Sequence, residues 1–315
     1  MTSLRVTQLG FGTAPLGGLF QAVTDDDAHR VVEAAWSAGI RFFDTAPQYG
    51  NGLAEVRLGA VLSTKPRDQF VLATKVGKLL RAGAPPQSYT FPDAPPQNPV
   101  FDFSYDGVMR SVEESVARMG IDRIDILHIH DPDEHFVEAL SGAYPALDRL
   151  RAEGTIKAVG AGMNQAEMLS RFAREANFNC FLLAGRYTLL DQVGLKELLP
   201  LCLERGIGII AGGVFNSGIL ADPTPGTHYN YQAAPDALVQ RAARIKAVCE
   251  RHNVSQKAVA IQFPLGHPAV QTVLTGCRSV NELSENVEAF RAPIPPGVFA
   301  DLKAEGLLVA EAPVP

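Results

Sequence analysis

A chain of 315 residues with 46% hydrophobic and 20% charged content can bury a large core, and one α/β domain spanning residues 1–315 is expected rather than two small ones. A net charge of −6 without any basic run argues against nucleic acid or an anionic membrane as partner, and no apolar stretch approaches the ~20 residues that cross a bilayer. Cys180, Cys202, Cys249 and Cys277 lie far apart without metal-ligand spacing, and Met1 to Val6 carry no signal-peptide core, so a cytoplasmic protein with reduced cysteines and no metal is expected.

In chain order, Gln8 to Thr13 is a glycine-punctuated strand, and Asp25 to Ala38 a helix with acids in its first turn. Ile40 to Phe43 is a short apolar run interrupted only by Arg41, with Asp44 at its C-terminal end and the turn formers Pro47 and Gly50 after it. A helix from Leu53 to Leu62 and a strand from Gln69 to Lys75 follow. The segment from Gly77 to Asp102 is rich in proline (Pro85, Pro86, Pro92, Pro95, Pro96, Pro99) and reads as an irregular surface loop of the kind that forms lids.

The alternation then continues. Helix Ser104–Met119 precedes strand Arg123–His130, helix Glu134–Ala152 precedes strand Ile156–Ala161, and helix Gln165–Asn177 precedes strand Phe178–Leu183. Helix Val193–Arg205 and strand Gly208–Ala211 lead to a second long loop, Phe215 to Pro235, carrying Asn216, His228, Tyr229 and Tyr231. Helices Pro235–His252 and Ser255–Phe263, strand Val270–Thr275 and helix Val280–Phe290 complete the pattern, with a short helical tail near Val298 to Gly306. About eight strands, each followed by a helix, predict a closed (β/α)8 TIM barrel with long loops at the C-terminal rim.

Chemistry in such a barrel belongs at the C-terminal ends of its strands. Three consecutive strands end in suitable groups: Asp44 with Tyr49 shortly after it, Lys75, and His130. Strand alternation puts His128 and His130 on one side, and His130 is nearer the rim. A phenol titrates at about 10 in water, so it trades protons at neutral pH only if its anion is stabilised. An ammonium at Lys75 favours that anion, Asp44 holds the ammonium, and His130 orients the substrate oxygen or shares the proton.

These residues resemble the aldo-keto reductase superfamily. The similarity rests on Leu9-Gly-Phe-Gly-Thr13, Phe42-Phe-Asp-Thr-Ala-Pro-Gln-Tyr-Gly50, Val71-Leu-Ala-Thr-Lys75, Arg123-Ile-Asp-Ile-Leu-His-Ile-His130, Gly154-Thr-Ile-Lys-Ala-Val-Gly160 and Thr275-Gly-Cys-Arg-Ser279 with Glu285-Asn286, in the family's order over nearly the whole chain. The resemblance implies hydride transfer with a nicotinamide cofactor and a catalytic tetrad of Asp44, Tyr49, Lys75 and His130. It departs after the fifth strand, where Gly160-Ala-Gly-Met-Asn-Gln165 shifts the nicotinamide-holding asparagine to Asn164. The usual glutamine of strand six is replaced by Ala184 or Gly185, and the usual stacking aromatic by Gly212-Gly213. Gly-Met-Asn-Gln and Ala211-Gly-Gly-Val-Phe-Asn-Ser-Gly218 are similar to the D-threo-aldose 1-dehydrogenase branch, which includes L-fucose dehydrogenases, and to its pyridoxal 4-dehydrogenase relatives.

Further cofactor contacts implied by the resemblance are the Gly213, Phe215, Asn216, Ser217 and Gly218 turn, Gly276, and the helix start at Ser279, since small residues admit close approach and helix starts attract anions. Glu285 and Asn286 are implied contacts as well, and Glu282, three residues before Glu285, stands where NADP-preferring members carry a basic or amide side chain. A carboxylate there repels a 2′-phosphate and accepts from a ribose hydroxyl, so NAD is expected, with NADP left open by Arg278.

The implied substrate is a sugar or aldehyde. Aldose C1 oxidation to a lactone is the first reading; oxidation of pyridoxal or general aldehyde and ketone reduction is the alternative, and a non-catalytic cofactor-binding regulatory subunit is the reading from another class. Asp131, Arg186, Asn216, His228, Tyr229 and Tyr231 are the candidate substrate contacts, and a monomer or weak homodimer is expected.

Overall fold

The computed structural model describes residues 4–82, 91, 94–224, 226, 228–230 and 232–315; Pro85, Pro86, Pro92 and Tyr231 lie outside them. The strands, in chain order, are β1 (Leu9–Gly12), β2 (Phe42–Asp44), β3 (Val71–Val76), β4 (Lys78–Ala82), β5 (Gln97–Phe101) and β6 (Ile126–His130). They continue as β7 (Ala158–Met163), β8 (Cys180–Ala184), β9 (Gly208–Gly212), β10 (His228–Tyr229), β11 (Gln232–Ala233) and β12 (Val270–Thr275). Eight of them close a parallel barrel in the order β1-β12-β9-β8-β7-β6-β3-β2, which is the (β/α)8 architecture the alternation predicts.

The helices follow from local chemistry. In α1 (Asp25–Ser37) the Thr24 hydroxyl accepts from the Asp27 amide at 3.1 Å, and Asp25, Asp26 and Asp27 face the positive end of the helix dipole. After α2 (Leu53–Leu62), α3 (Tyr105–Met119) starts on Ser104, which accepts from Gly107 N at 3.0 Å, and stops at Gly120 in the left-handed region. These helices bury Val31, Val32, Leu58, Leu62 and Val108 against the outer faces of the strands. No helix among the described residues is long and apolar enough to cross a membrane.

The period of two along each strand divides the barrel into an outer and an inner face. Phe43, Leu72, Leu127 and Ile129 belong to the outer core under the helices, whereas Phe42, Val71, Ala73 and Ile126 belong to a smaller inner cluster with Leu182, Ile210 and Leu274. Continuing the inner set by two residues gives Asp44 on β2, Lys75 on β3, and His128 and His130 on β6. Apolar side chains fill the lower barrel, and polar ones occupy its upper layers.

Four features differ from the sequence expectation. The Gly77–Asp102 segment is not irregular throughout: β4 and β5 pair antiparallel, with Lys78 opposite Phe101 and Leu80 opposite Pro99. Its prolines mask the strand signal, yet a two-stranded ribbon tolerates proline because one edge of each strand needs no donor. The helix after β6 is interrupted, running as α4 (Phe136–Glu138), a π turn at Ala139–Ala143 and α5 (Tyr144–Ala152). Gly142 lies in that turn, where a Cβ would stand 2.4 Å from Phe103 O. The Val193–Arg205 helix is divided into a 3-10 turn, Val193–Leu195, and a later helix, and the second long loop contains the short β10–β11 hairpin.

Candidate active site

The Asp44–Tyr49 corner is formed by a sharp reversal at the end of β2. Tyr49 N donates to Ala46 O at 3.1 Å, and Gly50 (φ 60°) turns the chain into α2. Behind the corner Gly17 lies flush against it: a Cβ there would be 2.6 Å from Gly50 N and 2.7 Å from the Tyr49 carbonyl carbon. Gly17→Ala must therefore push the Tyr49 backbone outward. The expected result is at least a tenfold loss of kcat, larger than any loss of cofactor affinity, read from steady-state rates beside a cofactor titration.

Asp44 and Lys75 are buried, 2% and 1% exposed, and Lys75 Nζ donates to Asp44 Oδ2 at 2.6 Å and to Thr45 O at 2.8 Å. The same ammonium stands 4.9 Å from the Tyr49 ring centroid. Tyr49 and His130 meet edge to face, 5.9 Å between ring centroids. All four residues that the strand-end argument selects thus share one compartment at the C-terminal rim.

Burial pushes the Asp44 carboxyl upward, and the Lys75 charge and hydrogen bond oppose that rise. Burial holds His130 well below the ordinary imidazole value; Asp131 opposes the shift, and Lys78, Lys75 and His128 reinforce it. His130 is consequently a neutral ring at pH 7. His128, one layer deeper beneath it, is held down to about 3 by burial and by Lys75.

Beside Asp44 and Tyr49 opens a cavity of about 510 Å³, the size of a small-molecule or cofactor site. Its wall includes Asn164, whose Nδ2 donates to Ala184 O at 3.1 Å, and the Gly213, Phe215, Asn216, Ser217 and Gly218 turn. Its far end is formed by Gly276, Arg278, Glu282, Glu285 and Asn286. Ser279 does not line the cavity; its hydroxyl accepts from Glu282 N at 3.2 Å and caps the helix Val280–Arg291. Arg278 does not reach freely into the space: its Nη2 lies 2.8 Å from Glu282 Oε1, and its Nη1 donates to Gln21 Oε1 at 3.1 Å.

The cavity wall also carries polar atoms that the fold leaves unsatisfied. Thr13 Oγ1, Asp44 Oδ1, Asn216 Oδ1 and Thr275 Oγ1 are buried without a hydrogen-bond partner. Such groups are costly unless a ligand pairs with them. With the close-approach turn, an acidic far end and this volume, the donor set fits an extended dinucleotide. Thr13 and Thr275 are additions to the sequence reading, although both sit at strand ends, where the rule that found Asp44 and Lys75 also applies. Lys257, which lines the cavity and pairs with Glu285 at 2.9 Å, comes from a remote helix and has no local signal.

The candidate substrate residues are less united. Asp131 adjoins the tetrad, with Oδ2 3.4 Å from His130 Nε2. Arg186 donates to Asn230 Oδ1 at 3.0 Å, Tyr229 donates to Asp191 Oδ2 at 3.3 Å, and His228 stacks on Phe20 with centroids 5.4 Å apart. None of these three lines the cavity, while Phe20 and Asn230 do.

Comparison with known proteins places these features in context. The profile of the aldo/keto reductase family matches residues 8–305. The chain is 45% identical to D-threo-aldose 1-dehydrogenase of Pseudomonas sp, covering 97% of this chain and 95% of that protein. It is 44% identical to pyridoxal 4-dehydrogenase of Microbacterium luteolum (98% and 96%) and 31% identical to L-galactose dehydrogenase of Arabidopsis thaliana (91% and 85%). An aldo-keto reductase from Bacillus halodurans in its holo form superimposes with a TM-score of 0.77 at 24% identity, over 100% of this chain and 96% of that one, a likeness of fold.

Proposed function

The chain belongs to the aldo/keto reductase family and is an oxidoreductase that uses a nicotinamide cofactor on a small-molecule substrate; on that premise we propose that it oxidises the anomeric C1 hydroxyl of an aldose to the lactone, with NAD as acceptor. The observation that carries the reading is the buried Asp44–Lys75 pair set against Tyr49 and His130, directly beside the 510 Å³ cavity. A bound nicotinamide supplies the hydride acceptor. Thr13, Asn164, Asn216 and Thr275 would hold it, and the Gly213–Gly218 turn lets backbone approach its phosphates.

Tyr49 is the proton acceptor in this direction. Lys75 favours the tyrosinate through direct attraction, and Asp44 keeps the ammonium aimed. The C1 hydroxyl gives its proton to Tyr49 as hydride leaves the same carbon, so the carbon loses two electrons and becomes the lactone carbonyl. His130, neutral through the working range, donates to the substrate oxygen without adding a charge that would compete with the tyrosinate.

The aldose reading draws support from the 45% identity to an aldose dehydrogenase. Pyridoxal is the second reading, favoured by a similarity of 44% over the same length. Titrating the purified protein with NAD and NADP by fluorescence and then assaying L-fucose, D-arabinose, L-galactose and pyridoxal separates them. Turnover of an aldose with lactone as product supports the proposal, and turnover of pyridoxal alone replaces it. Binding of cofactor with no turnover of any carbonyl or alcohol points to a regulatory subunit.

The preference for NAD rests on Glu282, which lines the far end and also holds Arg278. Glu282→Gln removes a carboxylate from the expected 2′-phosphate position and releases the guanidinium. The ratio of kcat/KM for NADP over NAD is expected to rise about tenfold, a change of about 1.4 kcal/mol in relative transition-state binding.

A further inference from the structure

The hairpin that replaces the predicted irregular loop brings a second lysine to the rim. Gly77, in the left-handed region at φ 100°, turns the chain between β3 and β4, and a Cβ there would strike the Phe103 ring at 2.2 Å. The turn carries Lys78 back over the site. Lys78 is only 6% exposed, and its Nζ donates to Asp131 Oδ2 at 2.8 Å and to Gln48 Oε1 at 2.6 Å. It therefore ties together the residue before Tyr49 and the residue after His130.

Asp131 is itself in an unusual conformation. Its φ of 43° is left-handed for a non-glycine residue, and its amide donates to Gly162 O at 3.0 Å. Aspartate tolerates this region better than most residues, but the backbone cost persists only where surrounding contacts impose it. Here the conformation sets the carboxylate 3.4 Å from His130 Nε2. A carboxylate has no hydrogen to offer, so it favours the tautomer with hydrogen on that nitrogen, and at this separation, beyond ordinary hydrogen-bond length, the hydrogen stays available to the substrate oxygen.

We propose that Lys78 is a positioning residue for the reaction: by pairing with Asp131 it holds the carboxylate against His130, which keeps the imidazole neutral with its hydrogen on Nε2. Asp131 alone would orient the ring and also draw a second proton onto it. Lys78 removes that attraction and leaves the orientation. Consistent with this balance, burial would raise the Asp131 carboxyl, but its cationic neighbours, Lys78 through both charge and hydrogen bond, pull it below its ordinary value. The groups facing His130 are Tyr49 from the β2 corner, Lys75 from β3, Lys78 from β4, and His128 and Asp131 from its own strand and strand end. Of these, Lys78 is the cation held by Asp131, so its removal leaves an unpaired carboxylate facing the ring.

The role rests on the tetrad assignment above, and the test keeps the two apart. Lys78→Met, Lys78→Arg, Asp131→Asn and the Lys78→Met/Asp131→Asn double variant are compared with wild type. The His130 imidazole is titrated by NMR in the cofactor-free protein, which needs no substrate, and the pH profile of kcat/KM is taken on the substrate found in the screen. Lys78→Met is expected to move the imidazole titration, and with it the acid limb of the profile, upward by about one unit, with cofactor affinity unchanged. Lys78→Arg and the double variant should restore both. An unmoved His130 titration in folded Lys78→Met, or a shift that persists in the double variant, overturns the proposal. If Tyr49→Phe retains full turnover, the tetrad assignment falls instead, while the NMR result still decides the electrostatic link between Lys78 and His130.

Discussion

Tyr49→Phe is expected to lower kcat by about 10²- to 10⁴-fold while leaving cofactor binding intact. The substitution removes only the hydroxyl. The ring that packs edge to face on His130 and lies 4.9 Å from the Lys75 ammonium is retained, so the corner and the cavity wall keep their shape. Among the described side chains that line the cavity no other carries a phenol or thiol to take over the proton: the four cysteines are buried, and burial pushes the Tyr187 phenol further up, away from the working range. Single-turnover rates of cofactor reduction, set beside a fluorescence titration with NAD, measure the two quantities separately. A wild-type rate in a variant that still binds cofactor would remove Tyr49 from the mechanism.

Lys75→Met carries the largest combined effect, because it damages chemistry and folding together. Losing the ammonium leaves Asp44 as an unpaired charge that is 2% exposed, and breaking such a buried pair costs about 3–5 kcal/mol. Denaturant unfolding at neutral pH reads this loss. Its pH dependence has a definite sign. With Lys75 gone, the burial that already raises the Asp44 carboxyl is no longer opposed, so the folded state holds a proton that the unfolded state, titrating at about 3.9, releases. Between that value and the raised folded value the native state binds more protons, and stability falls as pH rises. The variant should therefore lie closer to wild type in mild acid than at neutral pH and above. Asp44→Asn combined with Lys75→Met should recover most of the stability and none of the turnover, since the amide removes the buried charge without restoring an ammonium beside the phenol. Equal turnover in the double variant and wild type would contradict the role given to the pair.

Much of this site is legible along the chain because it follows strand geometry. Asp44, Lys75 and His130 each end a short apolar run, and a period of two is enough to aim them inward from three neighbouring strands. The glycine turn at Gly213–Gly218 and the acidic helix start at Glu282 are similarly local. Lys78 was hidden within a proline-rich stretch whose composition suggests no strand, and its value comes from Gln48 and Asp131, which only the fold brings to it. Arg186, His228 and Tyr229 have suitable chemistry for a polyol, but their partners Asn230, Phe20 and Asp191 place them outside the cavity wall.

Hydrophobic periodicity and strand-end position are properties of neighbours along the chain, and they suffice for the alternating architecture, the rim on which the polar groups gather, and the four residues found together there. Which charges meet depends on the fold. The Lys75–Asp44 and Lys78–Asp131 pairs, the grip of Glu282 on Arg278 and the unsatisfied Thr13 and Thr275 hydroxyls depend on distances between segments far apart in sequence. Electrostatic and hydrogen-bond energies change steeply over a few ångströms, and no periodicity encodes them.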